Sequence, residues 1–132
     1  MGAGSLPAGR FVIQPQFDWA NSFSEGLAAV QTSDKQWGYI DKSGAFMIPP
    51  QFHRAKEFSE GLAAVEVERK PGSWVFKFGY IDQTGHLVIP AQWDNAGRFS
   101  NGRAQVNITG MPDQVGYIDR RGKYIERPRV RR

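Results

Sequence analysis

The sequence predicts an all-β protein: three tandem repeats of 35–41 residues, each with three short antiparallel strands, stacked as a short open β array. Three observations carry that prediction. The octapeptide FSEGLAAV stands at Phe23–Val30 and again at Phe58–Val65, and a third version, FSNGRAQV, stands at Phe99–Val106. Each copy is followed by a second signature: WGYIDKSG at Trp37–Gly44, FGYIDQTG at Phe78–Gly85 and VGYIDRRG at Val115–Gly122. The equivalent residues Ile13, Ile48 and Ile89 are 35 and then 41 residues apart, and the difference falls wholly between the octapeptide and the next Gly-Tyr-Ile-Asp. A constant frame with one variable loop marks a repeat protein, because a unit of three short strands cannot bury its apolar face alone and must stack on its neighbours.

A closed pseudo-threefold barrel or a propeller-like ring is the alternative. The open form is favoured by a partial fourth copy, Tyr124-Ile125, which would be one strand too many for a threefold ring. There Glu126 and Arg127 stand where Ile48 and Pro49 stand, the polar edge that a terminal repeat needs. The expected organisation is a tag or disordered lead over 1–9, one repeat domain over 10–125, and a basic tail over 127–132. Within the domain the repeats cover 10–44, 45–85 and 86–122, with the partial fourth at 123–126.

Each element has a local reason. The first strand, AFMIP at Ala45–Pro49 or HLVIP at His86–Pro90, is apolar and is expected to end at proline, which cannot donate to a ladder. The stretch Gln51–Gly61 is expected to hold one helical turn, with Ala55 and Phe58 three apart, Gly61 as the ending residue, and Asp18 and Asp94 as caps in the other copies. The second strand, LAAVEVE at Leu62–Glu68, alternates with period two. In the third copy Arg103, Gln105 and Asn107 occupy one parity and Ala104, Val106 and Ile108 the other, so the core face is assigned to Ala63 and Val65. The variable interval QTSDKQ, EVERKPGSWVFK or NITGMPDQ then reads as a surface loop.

The third strand is Gly-Tyr-Ile-Asp. Gly38, Gly79 and Gly116 inside it imply a close approach of backbone or ring. Asp41, Asp82 and Asp119 each open a turn by offering a side-chain acceptor. Gly26, Gly61 and Gly102 are expected to be structural, as the residues that end the helical turn of each copy.

Composition excludes several chemistries. The chain has no cysteine, so disulfides, thiolate zinc sites and cysteine nucleophiles are absent, and the redox compartment stays open. No apolar run is long enough for a membrane span, and the first residues lack the pattern of a signal peptide. Met1–Ser5, MGAGS, reads as an appended tag, which would leave a native start outside this chain; localisation is unknown. His53 and His86 occupy non-equivalent places without ligand spacing, so neither a metal nor a cofactor is expected. Ser24, Ser59 and Ser100 recur without an activating base beside them. No phosphate-binding glycine motif or paired acid motif is present, and the chain is expected not to be an enzyme.

These signatures resemble the WG-repeat family of mostly bacterial proteins: Trp-Gly, then Tyr-Ile-Asp-x-x-Gly, then Val/Met-Ile-Pro, then Phe-Ser-Glu-Gly-Leu-Ala-x-Val. The likeness covers Phe11 to about Ile125, although only Trp37-Gly38 keeps the Trp, with Phe78 and Val115 departing from it. The resemblance implies an all-β repeat often attached to other modules, and no general catalytic activity.

The function expected is therefore a non-catalytic binding or scaffolding module that engages a protein partner through its variable loops. Trp74 is the leading contact residue, because it lies in the loop unique to the second copy and is flanked by Lys70 and Lys77. A second expectation is carbohydrate or cell-envelope binding by an aromatic face formed by Tyr39, Tyr80 and Tyr117; the competing use of those rings is a packed layer between units. The weakest is nucleic-acid binding by the basic end, where nine Lys or Arg face three acids from Arg98 onward. Oligomeric state is left open.

Overall fold

The computed structural model describes residues 17–68, 70–108 and 111–130. It is all-β, with no helix among the described residues. Twelve strands form three four-stranded antiparallel sheets, each a simple meander. The first holds β1 (Trp19–Ala20), β2 (Ala28–Gln31), β3 (Trp37–Ile40) and β4 (Phe46–Phe52). The second holds β5 (Arg54–Ala55), β6 (Ala63–Glu68), β7 (Phe76–Ile81) and β8 (Leu87–Trp93). The third holds β9 (Asn95–Ala96), β10 (Ala104–Ile108), β11 (Met111–Ile118) and β12 (Tyr124–Val130). No sheet closes on itself, so the array is open.

Each sheet borrows its last strand from the following copy of the repeat. The chain then steps to the next sheet through a one-residue bend, His53 between β4 and β5 and Asp94 between β8 and β9.

Two local expectations are corrected. Gln51–Gly61 holds no helical turn. The octapeptide instead folds back as a tight hairpin in which Ser59 bridges Leu62 and both central residues, Glu60 and Gly61, have positive φ (55° and 82°). That is the primed turn whose twist suits a two-residue hairpin; Glu25-Gly26 and Asn101-Gly102 repeat it. Asp18 and Asp94 therefore cap no helix.

Nor does proline end the first strand. β4 continues through Pro49 and Pro50, and β8 through Pro90. The register explains why this is tolerated. Trp37 faces Phe52 and Tyr39 faces Ile48, so four residues of β4 span two of β3, and the prolines sit in a bulge where no ladder N–H is required. Gly38 lies beneath that bulge. A Cβ there would stand 2.7 Å from both the Ile48 carbonyl oxygen and the Pro50 nitrogen, and at Gly79 2.5 Å from the Ile89 oxygen, so only glycine fits.

The core lies between sheets. Leu27, Ala29 and Tyr39 of the first sheet pack on Ala63, Val65 and Ile81 of the second. Leu62, Ala64, Phe78 and Tyr80 on the second sheet's other side pack on Ala104, Val106 and Ile118 of the third. Both parities of β6 are thus buried, not only the one carrying Ala63 and Val65, because the middle sheet is covered on both sides. Val30, Val65 and Val106 are all 0 % exposed; Val65 and Val106 each face the preceding sheet, whereas Val30 packs with Ala28, Ile40, Phe17 and Phe23.

The interval before the third signature is also shorter as a loop than expected, since β10 runs to Ile108 and β11 starts at Met111. At the C-terminal end, 127–130 continue β12 instead of forming a tail. The lead over 1–9 and residues 131–132 lie outside the described residues.

Candidate functional site

The side chains that recur most faithfully join one repeat to the next. The Ser24 hydroxyl donates to the Phe58 carbonyl and that of Ser59 to the Phe99 carbonyl, both at 2.6 Å. The Glu25 carboxylate accepts from the Gly61 N–H at 3.0 Å, and Glu60 accepts from the N–H groups of Asn101 and Gly102 at 2.7 and 2.9 Å. Each acidic side chain thereby satisfies the positive-φ turn of the next octapeptide. Sequence reasoning missed this role; the signal for it is that Glu25 and Glu60 have the same partner ahead of them, whereas the third copy has Asn101.

Tyr39 and Tyr80 belong to the same set of links. Both rings are fully buried, and their hydroxyls donate to the carbonyls of Lys56 at 2.5 Å and Gly97 at 2.6 Å. Burial raises both phenols well above their ordinary range. Neither ring is open to a sugar or a partner, which corrects the picture of an exposed tyrosine ladder: the rings form the packed layer between units. Tyr117 differs. It is half-buried, donates to Gln105 Oε1 at 3.2 Å and has the Arg103 guanidinium 5.5 Å from its ring centroid.

The recurring aspartates sit in turns. Asp41 Oδ1 accepts from the Ser43 hydroxyl and from the N–H groups of Ser43 and Ala45; Asp82 does the same with Thr84 and His86. Asp119 accepts from the N–H groups of Lys123 and Arg121. These bonds hold all three carboxyls below their ordinary value, the Ser43 hydroxyl leading for Asp41, the Thr84 hydroxyl for Asp82 and the Lys123 N–H for Asp119.

With the frame residues committed, the exposed chemistry lies at the loop flank. Trp74 is 82 % exposed and has a φ of 61°. The turn beneath it is held by Ser73 N–H on the Lys70 carbonyl at 3.0 Å and Trp74 N–H on Glu68 Oε2 at 2.6 Å. Lys70 is exposed beside it, whereas Lys77 is largely buried and paired with Asp94, so only one of the two expected flanking lysines is offered to solvent. His53 stacks on Phe76 at 4.2 Å, at the base of the same loop.

Two related grooves open on this flank. One of about 580 Å³ is lined by Trp19, Asn21, Gln31, Gln36, Trp37 and Lys56, among others. Its counterpart one repeat on, about 430 Å³, is lined by Arg54, Lys56, Glu66, Phe78, Asp94 and Asn95. In the second groove the Lys56 ammonium bonds Asn95 Oδ1 at 2.8 Å and the Ala96 carbonyl at 2.7 Å, and lies 4.8 Å from the Phe78 ring centroid. Burial, then the neighbouring Arg54, lowers its pKa. The first groove has Asn21 in place of that lysine and Trp37 in place of Phe78, and Lys35, His53 and Arg54 also line it.

A family model described as WG containing repeat matches the chain three times, at residues 7–35, 37–70 and 78–111. No curated protein and no solved structure matches.

Proposed function

We propose, starting from the fact that the chain belongs to the family of WG containing repeats, that it is a non-catalytic binding or scaffolding module engaging a protein partner through the loop flank of its second repeat. The observation that carries this reading is Trp74, the most exposed large apolar side chain among the described residues, held out by a positive-φ turn on the loop that sets the second repeat apart. Exposed, rigidly presented tryptophans are the side chains that contribute most to protein interfaces. The non-catalytic part is supported by the occupation of the recurring polar groups: the hydroxyls of Ser24 and Ser59 and the carboxylates of Asp41, Asp82 and Asp119 are engaged by the frame.

A photo-crosslinking side chain placed at Lys70 tests it. The expected result is one discrete crosslinked protein whose yield falls about tenfold in Trp74→Ala at unchanged thermal stability. A yield that is the same with and without the indole would overturn the reading.

One observation favours the glycan reading as second. Trp19 and Trp37 line the larger groove together with the amides of Asn21, Gln31 and Gln36, and indoles beside amide groups suit sugar rings. The site is then this groove, not the tyrosines. The nucleic-acid reading has less support, because the net positive charge is confined to the chain from Arg98 onward and Arg98 itself pairs with Glu57.

A further inference from the structure

A second surface lies at the other end of the strands, beyond the Asp-x-x-Gly turns. Ile40 faces Phe46 and Tyr39 faces Ile48, so Met47 is an extra residue on β4 with no partner on β3. The same shift singles out Val88 on β8 and Ile125 on β12. A one-residue bulge turns its side chain away from the ladder. Here it turns three apolar side chains into solvent: Met47 is 56 %, Val88 47 % and Ile125 45 % exposed, each next to a second exposed apolar residue, Phe46, Leu87 or Tyr124. Isolated apolar residues on a surface need no explanation, but an exposed apolar pair at the same repeat position in all three sheets is a recurring feature of the array.

The edge itself limits what can cover these pairs. β4, β8 and β12 are the outer strands of their sheets, with no strand paired on their outer edges among the described residues. The bulge and the prolines Pro49 and Pro90 break the row of edge donors in β4 and β8, so neither an extended peptide nor the edge of a second copy can pair along it. A covering element must satisfy its own backbone and dock by side chains alone, which is the property of a helix. Stacked sheets lie about 10 Å apart, and seven residues of helix advance about 10.5 Å, so apolar side chains seven apart meet the successive bulges. Charge gives the direction: the turn beside Ile125 carries exposed Arg120, Arg121 and Lys123 against Asp119, whereas the turn beside Val88 carries Asp82 and no Lys or Arg.

We infer that Met47, Val88 and Ile125 form the docking column for an amphipathic helix of a partner protein, with the acidic end of that helix over the third repeat. The probe is a synthetic helix of about 21 residues with leucines seven apart and glutamates in its last turn, compared with the same peptide carrying lysines there. Fluorescence anisotropy on the full chain should show binding of the glutamate peptide, about tenfold weaker binding of the lysine peptide, and a similar loss for Met47→Ser/Val88→Ser/Ile125→Ser. All three positions are exposed; Val88→Glu alone, with its melting temperature, guards against a folding defect and should lose binding as well. Failure of the glutamate peptide to bind, equal binding by both peptides, or undiminished binding by the variants overturns the inference. So does self-association in sedimentation velocity that the triple variant abolishes, which would make a second copy the occupant.

Discussion

Tyr80 and Tyr117 occupy the same position in successive repeats, and the chain treats them differently. Tyr80 is sealed between the second and third sheets with its hydroxyl on the Gly97 carbonyl, while Tyr117 lies half-buried under Arg103 and bonds Gln105. The residues around Tyr80 are Leu62 and Ala64; around Tyr117 they are Arg103 and Gln105. The third octapeptide is thus altered where its side chains would meet another sheet, and unaltered at Ala104 and Val106, where they meet the second. Among the described residues nothing packs on that outer side, and the substitutions make it polar. Asn101 follows the same logic. Glu25 and Glu60 each reach a turn ahead, and Asn101, with no described turn ahead of it, is instead a residue that adopts positive φ readily.

The contrast is broken most directly at the tyrosines. Tyr80→Ala is expected to cost about 3–5 kcal/mol in urea unfolding, through a large cavity between two sheets, whereas Tyr117→Ala should cost about 1 kcal/mol. Equal costs would mean that the third sheet is as enclosed as the second.

The contrast is sharpened by restoring the apolar face. Arg103→Leu with Gln105→Ala recreates the surface that the second sheet shows the third, and should produce concentration-dependent association in sedimentation equilibrium. A variant that stays at the parental mass would show that those two residues do not control end stacking.

The smallest effect is on pH dependence. The carboxyls of Asp82 and Asp119 lie below the ordinary value of 3.8 in the folded chain, so each adds stability that is complete above that pH and is lost as pH falls through the folded pKa. Asp82, which also holds the Thr84 hydroxyl, should contribute more of this acid sensitivity than Asp119. Asp82→Asn is expected to flatten the stability profile below about pH 4 more than Asp119→Asn does, as followed by circular dichroism; the reverse order would disprove the assignment.

Much of this architecture was legible in the sequence. The repeat, the strands around Ala63 and Tyr80, and the glycine beneath the bulge follow from spacing and parity. The helical turn at Gln51–Gly61 was misread because Ala55 and Phe58, three apart, fit a helix as well as a strand followed by a hairpin, and Glu-Gly is a weaker turn signal than the Asn-Gly of the third copy. Burial of both faces of β6 was hidden for a related reason: Ala64 is small enough for either environment, and only Gln105, its outward counterpart, betrays which side the terminal sheet leaves open. At the candidate sites, exposure of Trp74 followed from its place in an irregular loop. The fate of Tyr39 and Tyr80 did not, since a ring on a strand face looks the same whether or not a second sheet lies over it.

The forward reach of Glu25 and Glu60 has a consequence for how such a chain lengthens. Each carboxylate needs a successor, and each octapeptide after the first is greeted by a predecessor, so the units have a head and a tail. A duplicate of the second repeat could be spliced ahead of the third with every such link preserved, whereas one added after the third would find Asn101, not a carboxylate acceptor, behind it. The array is extensible from within, and growth there would move the polar cap outward unchanged.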